Sequence, residues 1–311
     1  MNANEFNSQK DEIINTKLVK KSSNTTKIIF GEVPYVSLNI FEKYDEVLAS
    51  FSTRFGGVSE GQFSTMNFCT SLGDSIDNVR NNFELYGKIS GHNNFMLSKQ
   101  THTTNVLKVS EEHIGMGLTK EMTYDNVDGL VTNMKGVTLS TFYADCVPLY
   151  FYDPVNKAIG LSHAGWRGTV GNMVESTLNV MKKEFNTNPK DIISAIGPSI
   201  CVNCYEVSSD VANEFMNAFE IYEDSIVNIK DNTNIDDKAM DMKRIIYKGE
   251  NDKYFLNLWA ANYINMVKSG IKTENISIPD MCTNENKDIL FSHRGLKGKR
   301  GNLGAFLMLK N

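Results

Sequence analysis

The residues best able to do chemistry lie between Leu139 and Gly171. A lone cysteine, Cys146, directly follows an acid, Asp145, and His163 then opens into Ala164-Gly165-Trp166-Arg167-Gly168. His102, within Gln100-Thr101-His102, is a third group of the same kind. Catalytic zinc typically takes three protein ligands from His, Cys, Asp and Glu and keeps a fourth position for water or substrate; His102, Cys146 and His163 would make such a set. Beside a metal the cysteine is held as thiolate, and a bound water becomes nucleophilic. The long spacings match no short zinc motif, so other readings stand beside this one. Cys146 could be a nucleophile with His163 as its base and Asp145, or another acid, as orienter. Two histidines and a cysteine also describe a blue-copper set, and a buried cysteine can be a packing residue beside unrelated histidines. Multicopper oxidation needs more imidazoles than the five present: His92, His102, His113, His163 and His293.

Anion binding would fall to Arg54, Arg167, Arg294, Arg300 and Lys99, because a guanidinium fork meets two oxygens at once. Arg167 stands out, since Gly165-Trp166-Arg167-Gly168 ties it to His163. Cys201-x-x-Cys204 could be a redox pair or half of a zinc knuckle, but no second such pair lies nearby and Cys282 is the only spare thiol downstream. The pair reads as structural or incidental.

The elements that must position these groups follow from pattern. Short apolar runs at Gly129–Thr132, Val137–Tyr143, Leu149–Tyr152, Ala158–Ser162 and Ile192–Ile196, punctuated by Met134-Lys135-Gly136 and Asp153-Pro154, predict a sheet buried on both faces. A first strand pair is expected at Lys27–Phe30 and Val47–Ser52, and closing strands at Ile276–Ile278, Ile289–Ser292 and Ala305–Leu309. Helical spacing predicts helices over Asp74–Ile89, from Arg167-Gly168 to about Phe185, from a Ser208 or Ser209 cap to Phe219, and over Phe255–Lys268. Residues 220–252 read as a short strand or two with a charged loop. Residues 1–26 read as a polar, mobile tail and 27–311 as one α/β domain.

The totals agree with a soluble globular protein. At 311 residues the chain can bury a full core, and a net charge of −5 offers no footprint for nucleic acid or an anionic membrane. Five thinly spread cysteines make a disulfide framework unlike this chain. The N-terminal residues carry no signal-peptide pattern, and no apolar run approaches the length of a membrane span. A reducing, cytoplasmic setting is expected.

With these residues in view the chain resembles the YfiH-like family, whose members are described as purine nucleoside phosphorylases and formerly as polyphenol oxidases or laccases. The resemblance rests on Thr53-Arg54-Phe55-Gly56-Gly57-Val58-Ser59, Met66-Asn67-Phe68, Gly73-Asp74 leading to Asn78-Val79-Arg80, Gln100-Thr101-His102 and Asp128-Gly129-Leu130-Val131-Thr132. Its most specific segments are Ala144-Asp145-Cys146-Val147-Pro148 and His163-Ala164-Gly165-Trp166-Arg167-Gly168. Gly197-Pro198-Ser199-Ile200, Cys204-Tyr205-Glu206-Val207 and Leu258-Trp259-Ala260-Ala261-Asn262 complete it, covering the chain from about residue 45 to its end.

The resemblance implies a layered α/β/β/α fold of mixed sheets and a zinc site at His102, Cys146 and His163. It implies phosphorolysis of adenosine, inosine and methylthioadenosine, with adenosine deamination, by a monomer or homodimer. Arg54, Asn67, Gln100 and Arg167 are then the expected substrate and phosphate contacts, and Asp145 an acid–base or orienting group beside Cys146. Deamination needs an activated water at purine C6, and phosphorolysis needs phosphate held against the anomeric carbon as positive charge develops there. Two departures stand out: Cys201 replaces a small residue, and Ser292-His293-Arg294-Gly295 replaces a paired-arginine pattern.

Overall fold

The computed structural model describes Ser8, residues 25–230 and residues 239–311. Apart from Ser8, Thr25 and Thr26, the tail expected over residues 1–26 lies outside the described residues, as does part of the charged loop expected within 220–252. In chain order the strands are β1 (Thr26–Ile29), β2 (Tyr35–Leu38), β3 (Val47–Ser52), β4 (Phe95–Leu97), β5 (Val106–Lys108), β6 (Gly129–Thr132), β7 (Thr138–Tyr143), β8 (Val147–Asp153), β9 (Ala158–Ala164), β10 (Ile193–Ile196), β11 (Glu206–Val207), β12 (Ile246–Lys248), β13 (Tyr254–Leu256), β14 (Ile276–Ser277) and β15 (Leu303–Leu309). Among the described residues the α-helices are α1 (Ile76–Ser90), α2 (Trp166–Val170), α3 (Met173–Phe185), α4 (Ser209–Phe219) and α5 (Leu258–Lys268).

Strand alternation builds the layers. One sheet runs β1-β2-β3-β15-β7-β4 and a second runs β14-β10-β8-β9-β6-β5; each mixes parallel and antiparallel pairs. Tyr150 and Tyr152 on β8, with Ile159 and Leu161 on β9, face Phe51, Leu139, Ala305 and Leu307 of the first sheet. The alternate residues Leu149 and Phe151 face the other way, onto Val174, Leu178 and Met181 of α3 and Trp259 of α5. Phe306, one step from Leu307, turns outward to Phe83 and Tyr86 of α1. Period-two side chains thus bind two sheets to each other and a helical layer to each outer face, the α/β/β/α order. Wholly buried strands leave the chemistry to their ends. A small third sheet, β11-β13-β12, completes the fold.

Four local expectations change. The strands near Lys27–Phe30 and Val47–Ser52 do not pair; β2 lies between them, with Val36 and Leu38 inward. The helix expected up to Phe185 is two, because Asn172 adopts φ 57° and caps α3 with its side chain on the Glu175 N–H. Phe255 belongs to strand β13, pairing Glu206 and Tyr247, and Asn257 then caps α5 through the Ala260 N–H. Ile289–Ser292 is no strand: Ile289 and Leu290 both donate to the Asn286 carbonyl in a turn, while their side chains stay buried.

Candidate metal centre and its cavity

Strand register decides where the reactive groups meet. Val147 of β8 pairs with Ala164 of β9, and Pro148 with His163. Cys146, just ahead of β8, and His163 therefore emerge at the same sheet end. Asp153 closes the opposite end of this hairpin, accepting the Val155 and Asn156 N–H groups. His102 arrives on the loop between β4 and β5.

That loop is shaped around Asp128, which immediately precedes β6 and is fully buried. Asp128 Oδ1 accepts the His102 N–H and Oδ2 the Thr101 and Thr103 N–H groups, each at 3.0 Å. The same Oδ1 lies 2.9 Å from His163 Nδ1. The carboxylate thus holds His102 in a left-handed backbone conformation, φ 64°, and turns the other nitrogen of His163 toward Cys146. Such conformations in a non-glycine residue cost about 1 kcal/mol and persist where surrounding bonds enforce them.

The ligand atoms of His102, Cys146 and His163 lie within 4.8 Å of one another. Cys146 Sγ is 3.9 Å from His102 Nε2, and the two imidazoles stand edge to face with centroids 5.0 Å apart. Gly165 leaves room for this approach, since a methyl there would come 2.8 Å from His102 Cδ2 and 3.2 Å from Cys146 Sγ.

Burial opposes charge at Cys146, His163 and Asp128, and the cluster overrides it. Burial pushes the Cys146 thiol up, but the His163 charge and hydrogen bonds from both histidines bring it down to about 6. Burial likewise lowers His163, but the Cys146 charge and the Asp128 hydrogen bond raise it to about 9. Asp128, raised by burial, is brought down to about 2 by His163 and the loop N–H groups. Without a cation the three form a charged relay, and a metal would displace the imidazole proton.

His102, Cys146 and His163 line a cavity of about 420 Å³ together with Gln100, Lys99 and Arg300, and its apolar wall includes Leu97, Met122 and Phe142. Gln100 is pinned to β7, giving its amide N–H to the Phe142 carbonyl at 2.8 Å and accepting the Phe142 N–H at 2.7 Å. Asn67, an expected contact, does not line the cavity; it is fully buried, bonding Asp74 and the N–H of Asn302. Arg300 bonds Asn302, and its buried Nε has no hydrogen-bond partner among the described residues.

The remaining expected residues lie off the cavity. Asp145, at φ 96°, accepts the Thr283 hydroxyl and the Arg294 N–H, both at 2.7 Å. Arg54 donates to the carbonyls of Ser64 and Lys287 and stacks on Phe291 at 4.6 Å. Arg167 is exposed and stacks on Trp166 at 4.3 Å. Asp128 is the residue that sequence reading left out of the site. Its signals were an acid set directly before a buried strand and its place in the Asp128-Gly129-Leu130-Val131-Thr132 segment.

The chain is similar to several known proteins. Residues 48–310 match the family described as multi-copper polyphenol oxidoreductase laccase. The purine nucleoside phosphorylase YlmD of Bacillus subtilis is 32% identical over 268 residues, covering 85% of this chain and 89% of that protein. A purine nucleoside phosphorylase of Bacteroides thetaiotaomicron is 32% identical over 271 residues, covering 86% and 93%. Among solved structures, the hypothetical protein YfiH of Bacillus licheniformis superposes with a TM-score of 0.79 at 28% identity, covering 93% of this chain and 100% of that one. YlmD of Geobacillus stearothermophilus gives 0.77 at 27%, covering 89% and 96%.

Proposed function

The chain belongs to the YfiH-like, multi-copper polyphenol oxidoreductase laccase family, and from that premise we propose that it is a cytoplasmic purine nucleoside phosphorylase with residues 27–311 as its catalytic domain. One observation carries the reading: His102, Cys146 and His163 converge on a cavity that also presents a cation, Arg300. The donor set fits zinc, with two imidazoles and a thiol, one imidazole already oriented by a buried carboxylate. A zinc ion held by these three residues would supply Lewis-acid chemistry. Two converging imidazoles are too few for a multicopper centre, and His92, His113 and His293 do not line the cavity.

The chain's own groups have distinct tasks. The apolar wall suits a purine. Arg300, cationic and short of an acceptor, holds phosphate against the anomeric carbon, where Lys99 adds charge. A phosphate oxygen then bonds that carbon while its bond to the purine nitrogen breaks, and the electron pair leaves with the base. Arg54 and Asp145 act through the loops they tie, and Arg167 is placed at the exposed start of α2. Adenosine, inosine and methylthioadenosine are the proposed substrates, and adenosine deamination a second activity of the same pocket.

The test is product analysis of the zinc-loaded protein with adenosine or inosine, with and without phosphate. Free base and a ribose 1-phosphate should appear only with phosphate, and chelation should stop them. Absence of both free base and inosine from fully loaded protein would end the proposal. A second reading draws on the Cys146, His163 and Asp128 series, which also describes a thiol hydrolase, for example of peptidoglycan-type amides. Chelation separates the two, since a thiol hydrolase would survive it.

A further inference from the structure

A second cluster of metal-type donors lies outside the cavity. Cys201 and Cys204 bracket a single turn, closed by the Cys204 N–H donating to the Cys201 carbonyl at 3.1 Å. Cys282 and Glu285 bracket a turn of the same spacing, with the Asn286 N–H on the Cys282 carbonyl at 3.1 Å. A β-bridge between Ser199 and Cys282 sets the two turns side by side, and Cys282 Sγ accepts the Cys201 N–H at 3.3 Å. N–H donation to sulfur favours the thiolate that metals bind.

The distances suit one tetrahedral cation. All four ligand atoms lie within 4.8 Å of one another. Zinc–sulfur bonds of about 2.3 Å and zinc–oxygen bonds of about 2.1 Å give a tetrahedron with sulfur–oxygen edges of about 3.6 Å. Glu285 Oε1 stands 3.4 Å from Cys201 Sγ and 3.8 Å from Cys204 Sγ. Thiols that merely fill a core need no carboxylate oxygen among them, and Cys201 and Cys282 are fully buried. A disulfide would use two of the three thiols and leave the third without a role.

We propose that Cys201, Cys204, Cys282 and Glu285 form a second metal site, closed around a thiophilic divalent cation of the zinc class. Four protein ligands leave no open position, so the centre is structural, unlike the three-ligand set in the cavity. Its turns also reach the first centre. Thr283, beside Cys282, donates to Asp145 Oδ1 at 2.7 Å, and Ile200, beside Cys201, gives its N–H to the Asp145 carbonyl at 3.0 Å. Closing the two turns on one cation fixes Asp145, and with it the entry of Cys146 into β8.

The test is zinc content per chain of full-length protein purified under reducing conditions. Wild type should carry two equivalents, Cys204→Ser one, Cys146→Ala one, and the double variant none. If wild type carries one equivalent that Cys146→Ala removes and Cys204→Ser leaves, the second site is overturned. If it carries one that only Cys204→Ser removes, the second site stands and the cavity assignment falls. Cobalt substitution provides a reading that survives poor folding of a variant: sulfur-to-cobalt absorption of wild type should fall by about three quarters in Cys146-containing protein reloaded at the cavity site alone, since three of four thiolates sit in the second site. Mapping that finds Cys201 and Cys204 joined as a disulfide in zinc-replete protein overturns the proposal.

Discussion

Asp128 Oδ1 lies 2.9 Å from His163 Nδ1 and also receives the His102 N–H, so one buried carboxylate positions both imidazoles of the centre. Asp128→Asn should keep the shape and remove the charge. An amide N–H₂ would then face donors where the carboxylate accepted them, and His163 would lose its acceptor or its orientation. Zinc affinity should fall roughly tenfold to a hundredfold, the usual effect of losing such a supporting partner. Unfolding in urea should show a loss of about 3 kcal/mol, as for breaking a buried charged pair. Unchanged zinc affinity in a folded variant would remove Asp128 from the site.

Gly165→Ala tests packing without touching a ligand. Gly165 has φ −69°, open to alanine, so the backbone gives no reason for strain. The added methyl would meet His102 at 2.8 Å and Cys146 at 3.2 Å, inside ordinary contact. His102, exposed on its loop, should be the group that moves. Zinc affinity and phosphorolysis should drop about tenfold or more, with thermal stability of the metal-free protein little changed. A variant with normal zinc uptake would mean that His102 does not need this approach.

What the sequence disclosed about the site follows a physical divide. Strand ends were legible because buried strands leave only their termini for polar work, which made Cys146 and His163 conspicuous. The roles of Arg54 and Asp128 were not, because they depend on partners that only folding supplies. The Arg54 guanidinium is held by the Lys287 carbonyl, 233 residues away in the chain. Asp128 reads locally as a turn residue before Gly129 and becomes central only when the His102 loop folds over it. The surroundings of the Cys201 pair were hidden for the same reason. Its partners lie 81 and 84 residues beyond Cys201, and one of them is a glutamate that no paired-cysteine pattern would include.

Cys146 should titrate far below an ordinary thiol in metal-free protein. The His163 charge, with hydrogen bonds from both histidines, outweighs burial and holds it at about 6. The thiolate is the reactive form, so alkylation of the chelated protein should rise as pH increases through about 6 and level off above about 7. An unperturbed thiol would still be climbing at about 8.5. His163→Gln removes the largest favourable influence and should move the inflection upward. The measurement is iodoacetamide labelling followed by peptide mapping of Cys146, which separates it from Cys69 and Cys204. An inflection in the ordinary thiol range in the parent protein would contradict the electrostatics of the centre.

Arg300 and Arg54 give opposite expectations, and comparing them locates the phosphate. Arg300 lines the cavity and keeps a buried Nε–H without an acceptor among the described residues, whereas Arg54 spends its donors on two backbone carbonyls. A charge-assisted bond to phosphate is worth about 1.5–3 kcal/mol, so Arg300→Gln should raise the KM for phosphate roughly tenfold to a hundredfold. The KM for nucleoside should change little, because the apolar wall that receives the base is intact. Arg54→Gln should instead lower stability, by loosening the Ser64 and Lys287 loops and uncovering Phe291, while leaving the phosphate KM near wild type. Steady-state kinetics with phosphate varied at saturating inosine, run beside thermal melts of both variants, reads the two effects separately. A phosphate KM that rises for Arg54→Gln and not for Arg300→Gln would move the anion from the cavity wall to the Arg54 loop.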